Sequence, residues 1–338
     1  MIQRRRLLTA AAATLAAPAI VHADAPVMLK FATHEPSTAF VYAGTWKPWV
    51  ARVLEDARGA LQIEEFTGGR MNPDSEAHLD LVLTGKADIA FIVPAIFRDR
   101  FKEQDLFMQP GSLRNAREAS LAATRLQAQG LLTGYDELVP LGVLIAAPSA
   151  VHATVLVARP ADLKGRRFNT NATLTAELFR RLGARMSLTY VTPKAAATLR
   201  AGEFDGVVAD WIGSDTFGTL AAAKHHLNYP LGGVMLAFVM NRRRYERLPD
   251  PVRAVFDRHK GDELAEGFGR AFDGQRAKVI TRIRSEPGQD VVTPEGEAAT
   301  AWAAAFAPGV EAWRAASSRH QQLATALDAE LARIRATG

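Results

Sequence analysis

Hydrophobic and polar positions alternate in two registers along this chain, and the switches between them outline its elements. Val27, Leu29 and Phe31 repeat at period two, which predicts a strand. Trp46, Trp49, Val50, Val53 and Leu54 recur at helical spacing and place one apolar stripe on a helix. A strand through Leu61, Ile63 and Phe66 closes at the turn Gly68-Gly69, and a helix from about Asp74 to Leu83 stops at Gly85. Ala87 to Val93 is almost continuously apolar, as expected of a strand covered on both faces. Strand, helix, strand, helix, strand begins an α/β domain.

The order then repeats. A helix over 116–129 leads to a strand over 141–147; a turn over 162–165 precedes a short strand over 167–170 and a helix marked by Leu174, Leu178 and Leu182 that Gly183 stops. Thr192 and Pro193 are placed to start another helix ending at Gly202, ahead of a buried strand over 207–209. A second α/β domain is therefore expected. Met235 to Asn241 reads as a further strand, Pro249-Asp250-Pro251 opens a long helix, and the Ala-rich remainder is helical with a break at Pro308-Gly309.

Composition narrows the class. With 338 residues, 48% hydrophobic and 23% charged, the chain can bury two cores and is neither disordered nor fibrous. Arg4, Arg5 and Arg6 before an apolar run to Val21, ending in Val21-His22-Ala23, read as an export signal over residues 1–23, by the general secretory or the twin-arginine route. Removing it takes away three arginines and no acid, so the net charge falls from +5 to +2 and the basic balance does not argue for nucleic acid. The absence of cysteine excludes disulfides and thiolate chemistry. No later stretch reaches the roughly 20 apolar residues of a membrane span. The expectation is a periplasmic protein, monomeric, with no cofactor.

Catalytic signatures are missing: no G-x-S-x-G, Walker loop, G-x-G-x-x-G after a strand, or H-E-x-x-H occurs. His225 and His226, adjacent in sequence, are expected at a solvated helix end rather than on a metal, and no metal site is expected elsewhere.

Several segments together resemble the solute-binding proteins of TRAP (tripartite ATP-independent periplasmic) transporters. Leu29 to Thr33 resembles the family's first strand, Gly68-Gly69-Arg70-Met71 its Gly-Gly turn, Val82 to Ile92 its helix-to-strand entry, Asp162-Leu163-Lys164-Gly165 its D-L-K-G turn, Leu199 to Trp211 its L-x-x-G-x-x-D-G-V-V-x-x-W segment, and Tyr245 to Pro249 the stretch before its long helix. The resemblance implies two α/β lobes forming a clamp, as in periplasmic binding proteins, with crossing strands and a long inter-lobe helix. The lobes are expected at 24–148 plus 233–268, and at 149–232 plus 269–338 with the C-terminal helices. It implies a small organic solute held in the cleft and delivered to membrane permease subunits. A periplasmic α/β enzyme, or a binding protein serving a sensor kinase, remain as alternatives.

Open α/β sheets bind ligands at the carboxyl ends of their strands. Those ends carry the candidate contacts Thr33, His34, Glu35, Phe91, Asn169, Asn171, Asp210, Trp211 and Asp215, with Phe91 and Phe238 also suited to the core. One departure matters. The resemblance implies a carboxylate-clamping arginine at the fourth position after D-L-K-G, and this chain has Asn169 there, while Arg167, two residues earlier, is expected to point outward. Asp210 beside Trp211 stands where relatives carry Pro-Trp-Glu. An organic acid is the family's usual solute, but Asn169 and Asp210 suit an amine or polyol better.

Overall fold

The computed structural model describes residues 25–189 and 194–337. The export signal and the Thr192-Pro193 helix start lie outside them. Strands are β1 (Val27–Ala32), β2 (Leu61–Phe66), β3 (Ile89–Ile92), β4 (Leu138–Ile145), β5 (Ala150–Ala153), β6 (Arg167–Thr170), β7 (Arg185–Leu188), β8 (Gly206–Ala209), β9 (His225–Leu227), β10 (Met235–Asn241) and β11 (Asp290–Val292). Helices are α1 (Lys47–Asp56), α2 (Ala77–Leu83), α3 (Ala116–Ala128), α4 (Thr173–Arg181), α5 (Ala195–Arg200), α6 (Trp211–Thr216), α7 (Thr219–Ala222), α8 (Arg242–Glu246), α9 (Asp250–His259), α10 (Asp262–Ser285), α11 (Gly296–Ala315) and α12 (Ser318–Thr337).

Two sheets result. The first has the order β2-β1-β3-β10-β4, with β1 parallel to β2 and β3 and with β10 antiparallel to β3 and β4. The second has the order β11-β9-β5-β8-β6-β7. All four residues of β3 and of β8 are buried, as their unbroken apolar runs require. An aromatic cluster fills the first core: Trp46 stacks on Phe238 at 4.5 Å, and Phe31 meets the same ring edge-on at 4.9 Å. Phe168, Phe179, Trp302 and Phe306 belong to a separate core under the second sheet.

The chain passes between the lobes along two antiparallel strands, one joining β4 to β5 and the other β9 to β10. Ala146 N–H donates to Val234 O at 2.9 Å and Ser149 N–H to Gly232 O at 2.7 Å across them. Gly232 sits at φ +81°, and a Cβ there would come within 2.4 Å of Met108 Cα, so this crossing needs glycine for both its backbone angle and its space. Helix α10 is a third connection. Its first half packs Leu264, Ala265, Phe268 and Phe272 on the first core, and its second half packs Val279, Ile280 and Ile283 beside Trp211 in the second lobe.

Several expectations need correction. Helix α10 crosses between Phe272 and Val279 rather than at residue 268. Helix α12, expected with the second lobe, lies on the first: Leu323, Leu327, Leu331 and Ile334 join its core beside α3, and Arg335 pairs with Glu118 there. Only α11 stays on the second lobe, through Trp302 and Phe306, and the turn after Ala315 sends the chain back. Pro308 does not break α11, and Gly309 beside it packs closely on α4; a Cβ at Gly309 would meet Leu178 Cδ2 at 2.3 Å. His225 and His226 are not at a helix end but form β9, and His226 is fully buried.

Candidate functional site

The strand ends of the two sheets face one another, and the space between them holds a cavity of about 60 Å3. The first lobe lines it with Glu35, which follows β1, with Phe91 and Val93 at the end of β3, and with Leu236 of β10. The second lobe contributes Asn171 after β6, Val208 and Ala209 of β8, and Asp210, Gly213 and Phe217 of the α6 turn, while Phe272 of α10 closes one side. An open cleft of about 620 Å3 adjoins it, sharing Phe217 and lined by His34, Asn169, Ser187, Thr189 and Lys194.

Glu35 is 6% exposed. The turn that follows β1 is pinned by its N–H donating to Thr33 Oγ1 at 3.1 Å, which explains why Thr33, fully buried, supports the site without lining the cavity. Glu35 Oε1 lies 3.4 Å from His34 Nε2, and its Oε2 is buried with no hydrogen-bond partner among the described residues. The His34 ring stacks on Phe91 at 5.4 Å and meets His78 of α2 edge-on at the same distance. Burial, reinforced by His34, holds the His78 imidazole below its ordinary value.

Asp210 has two roles at once. Its Oδ1 accepts from Ile212 N–H at 3.0 Å and from Gly213 N–H at 2.9 Å, capping α6, and its carboxyl also lines the cavity. Burial pushes its pKa up; the two backbone donors oppose this, and the Glu35 charge across the cavity adds to it.

Asn169 and Asn171 occupy the end of β6. Asn169 Oδ1 accepts from Thr189 Oγ1 at 3.0 Å on the wall of the outer cleft. Arg167 points outward, donating to Gly202 O at 2.8 Å. Trp211 and Asp215 stand apart from the cavity. Trp211 is fully buried, edge-on to His152 at 4.8 Å, in a core cluster with Val279 and Ile283. Asp215 pairs with Arg282 of α10 on a different, shallower groove.

Five residues at or beside the site escaped the sequence. Phe217, Phe272 and Gly213 line the cavity without any pattern that marks them. Arg98, in the irregular segment after β3, sends its Nη2 across to Asn171 O at 2.9 Å, tying one lobe to the other. Asp105 adds a second tie: it accepts from Leu174 N–H at 3.1 Å and so caps α4 of the opposite lobe. No local pattern marks either residue, because each acts through a backbone atom some 70 positions away.

Among the described residues no helix is long and apolar enough to cross a membrane, and no group of three or more His, Asp or Glu is placed to hold a metal ion.

The architecture matches solved structures over most of the chain. A TRAP solute-binding protein from a marine metagenome, described as specific for aromatic acid ligands and bound to 3-hydroxybenzoate, superposes with a TM-score of 0.80 at 23% identity, covering 91% of this chain and 98% of that one. One from Rhodoferax ferrireducens with copurified benzoate gives 0.82 at 21% identity, covering 91% and 98%. One from Bordetella bronchiseptica with bound mandelate gives 0.79 at 22% identity, covering 91% and 100%. A search of curated proteins finds no match. The family model for bacterial extracellular solute-binding protein, family 7, matches residues 31–316. With the two-lobed fold and its shared cavity, that match places the chain in this family of solute-binding proteins, to which it belongs as a binder and not an enzyme.

Proposed function

We propose that this chain is the periplasmic receptor of a TRAP-type transport system: it captures a small organic solute between its lobes, closes over it, and hands it to membrane permease subunits. The observation that supports this reading best is the cavity itself, which neither lobe could form alone because both contribute its walls. Its walls are apolar apart from Glu35, Asn171 and Asp210, the composition of a site that encloses a small molecule and orients it by a few polar groups. Phe91 contributes apolar wall, and His34 and Asn169 meet the solute on its way in through the outer cleft. Thr33, Trp211 and Asp215 hold the turns that carry these groups.

Binding energy is collected from both lobes only when they are together, so solute shifts the equilibrium toward the closed form. Protein purified under native conditions should release an unmodified small molecule detectable by mass spectrometry. Adding that molecule back to stripped protein should reduce the radius of gyration in small-angle scattering. A radius that does not change at saturating ligand would refute the clamp, and a chemically altered ligand would point to catalysis.

A further inference from the structure

Glu35 and Asp210 come from opposite lobes and line the same cavity. On Glu35, Oε2 is buried without a partner. On Asp210, both α6 amides go to Oδ1, and Oδ2 receives no hydrogen bond among the described residues. That oxygen lies beside Gly213, where a Cβ would stand 2.9 Å from it, so glycine keeps it uncovered. Each lobe therefore contributes an acceptor oxygen with no hydrogen-bond partner among the described residues, and the cavity that both residues line is otherwise largely apolar.

The surrounding charges do not compensate for them. His34 faces Glu35 from the same turn, and His78 stands behind His34 on α2. From the segment after β3, Arg98 is occupied with the carbonyls of Ala95 and Asn171. The end of β6 offers the neutral Asn171, α10 offers Phe272, and no Lys or Arg is among the residues lining the cavity. Lys194 lies farther out, in the open cleft.

We propose that Glu35 and Asp210 together form the receptor for the ammonium head of a small amine with an apolar body. The inference rests on the receptor reading above and adds the class of solute. Two carboxyl groups lining one low-dielectric space disfavour each other's charge, and a cation placed with them removes that penalty. An ammonium group supplies the missing positive charge and several N–H donors. Phe91, Phe217 and Phe272 remain to pack the apolar body. A carboxylate solute would place a third carboxyl group there with no counter-charge among the residues lining the cavity.

The test is calorimetry on the mature protein with matched pairs of probes, butylamine against butyrate and benzylamine against benzoate. Each titration is run across a pH series. The expected result is a heat of binding from each amine. The matched acid should bind at least about tenfold more weakly. Glu35→Gln and Asp210→Asn should each weaken the amine at least about tenfold, the latter while keeping an α6 cap. If butyrate or benzoate binds more tightly than its amine, the solute class is wrong while the receptor reading stands. If no amine binds at any pH, the inference is overturned whatever else binds. If no solute of any class closes the protein in scattering, the receptor reading itself fails.

Discussion

Replacing Gly269 by alanine tests whether α10 is seated on α3 as tightly as the structure implies. Along one face of α10, Glu266, Gly269 and Asp273 all meet the first turn of α3. Glu266 takes both its oxygens to Arg117 Nε at 2.7 and 2.8 Å, and Asp273 accepts from Ala116 N–H at 2.7 Å and Arg117 N–H at 3.1 Å. Gly269 fills the gap between them, and a Cβ there would come within 2.2 Å of Arg117 Cα. That atom is backbone, so no rotamer change relieves the contact. To reach ordinary van der Waals separation the helices must part by more than about 1 Å. Alanine favours a helix over glycine by up to about 1 kcal/mol, which acts in the opposite direction. Overpacking costs about 1–3 kcal/mol, and weakening the Asp273 cap adds about 1 kcal/mol. The steric cost wins, and a net loss of about 1–3 kcal/mol follows, read as a lower urea midpoint with an unchanged slope. Gly274→Ala is the control, since nothing lies within 4 Å of a Cβ at that position on the same helix. It should be neutral or stabilising by up to about 1 kcal/mol. If the two variants melted alike, the close packing of α10 on α3 would be refuted.

Three further outcomes follow from other sites. Asp210 has a carboxyl pKa raised in the folded state, so its contribution to stability is present at acid pH and is lost as pH climbs above the ordinary value of 3.8; Asp210→Asn should flatten that part of the ligand-free stability profile, measured by urea titration at several pH values. His78, His152 and His226 are buried with imidazole pKa values lowered chiefly by burial, so stability should fall as pH drops below about 6.5, and His152→Gln should reduce the slope by removing one of the three groups. Arg98→Met removes the half-buried tie to Asn171 O, with a cost of about 1–2 kcal/mol to the closed arrangement; scattering on ligand-free protein should show a larger radius of gyration.

Much of the fold was legible because its signals are local. The period-two strand through Val27, Leu29 and Phe31, the apolar runs that became β3 and β8, and the stripe of Trp46, Trp49, Val50 and Val53 are each set by which face of one element must leave water. The glycines after α2, α4 and α5 ended those helices as read, since left-handed backbone angles select for glycine. Asp210, Glu35 and Asn171 could be singled out because they follow strands, and Phe91 because it lies near the end of one; strand ends are where an α/β sheet leaves side chains free.

Tertiary structure alone decided which of these residues share a space. Trp211, next to Asp210 in sequence, turns into the core because α6 begins between them, capped by Asp210 itself, and the helix sends consecutive side chains to different faces. The return of α12 to the first lobe depends on a turn beyond α11 whose direction no periodicity encodes. His225 and His226 became strand rather than helix end because β5 and β11 provide pairing partners on either side, which lie 65 or more positions away. Glu35 and Asp210 come from different domains, and they line one cavity only because the crossing segments and α10 hold the two sheets end to end. Sequence determines which faces are apolar; contact between distant faces determines which polar groups are left without water, and it is those groups that make a binding site.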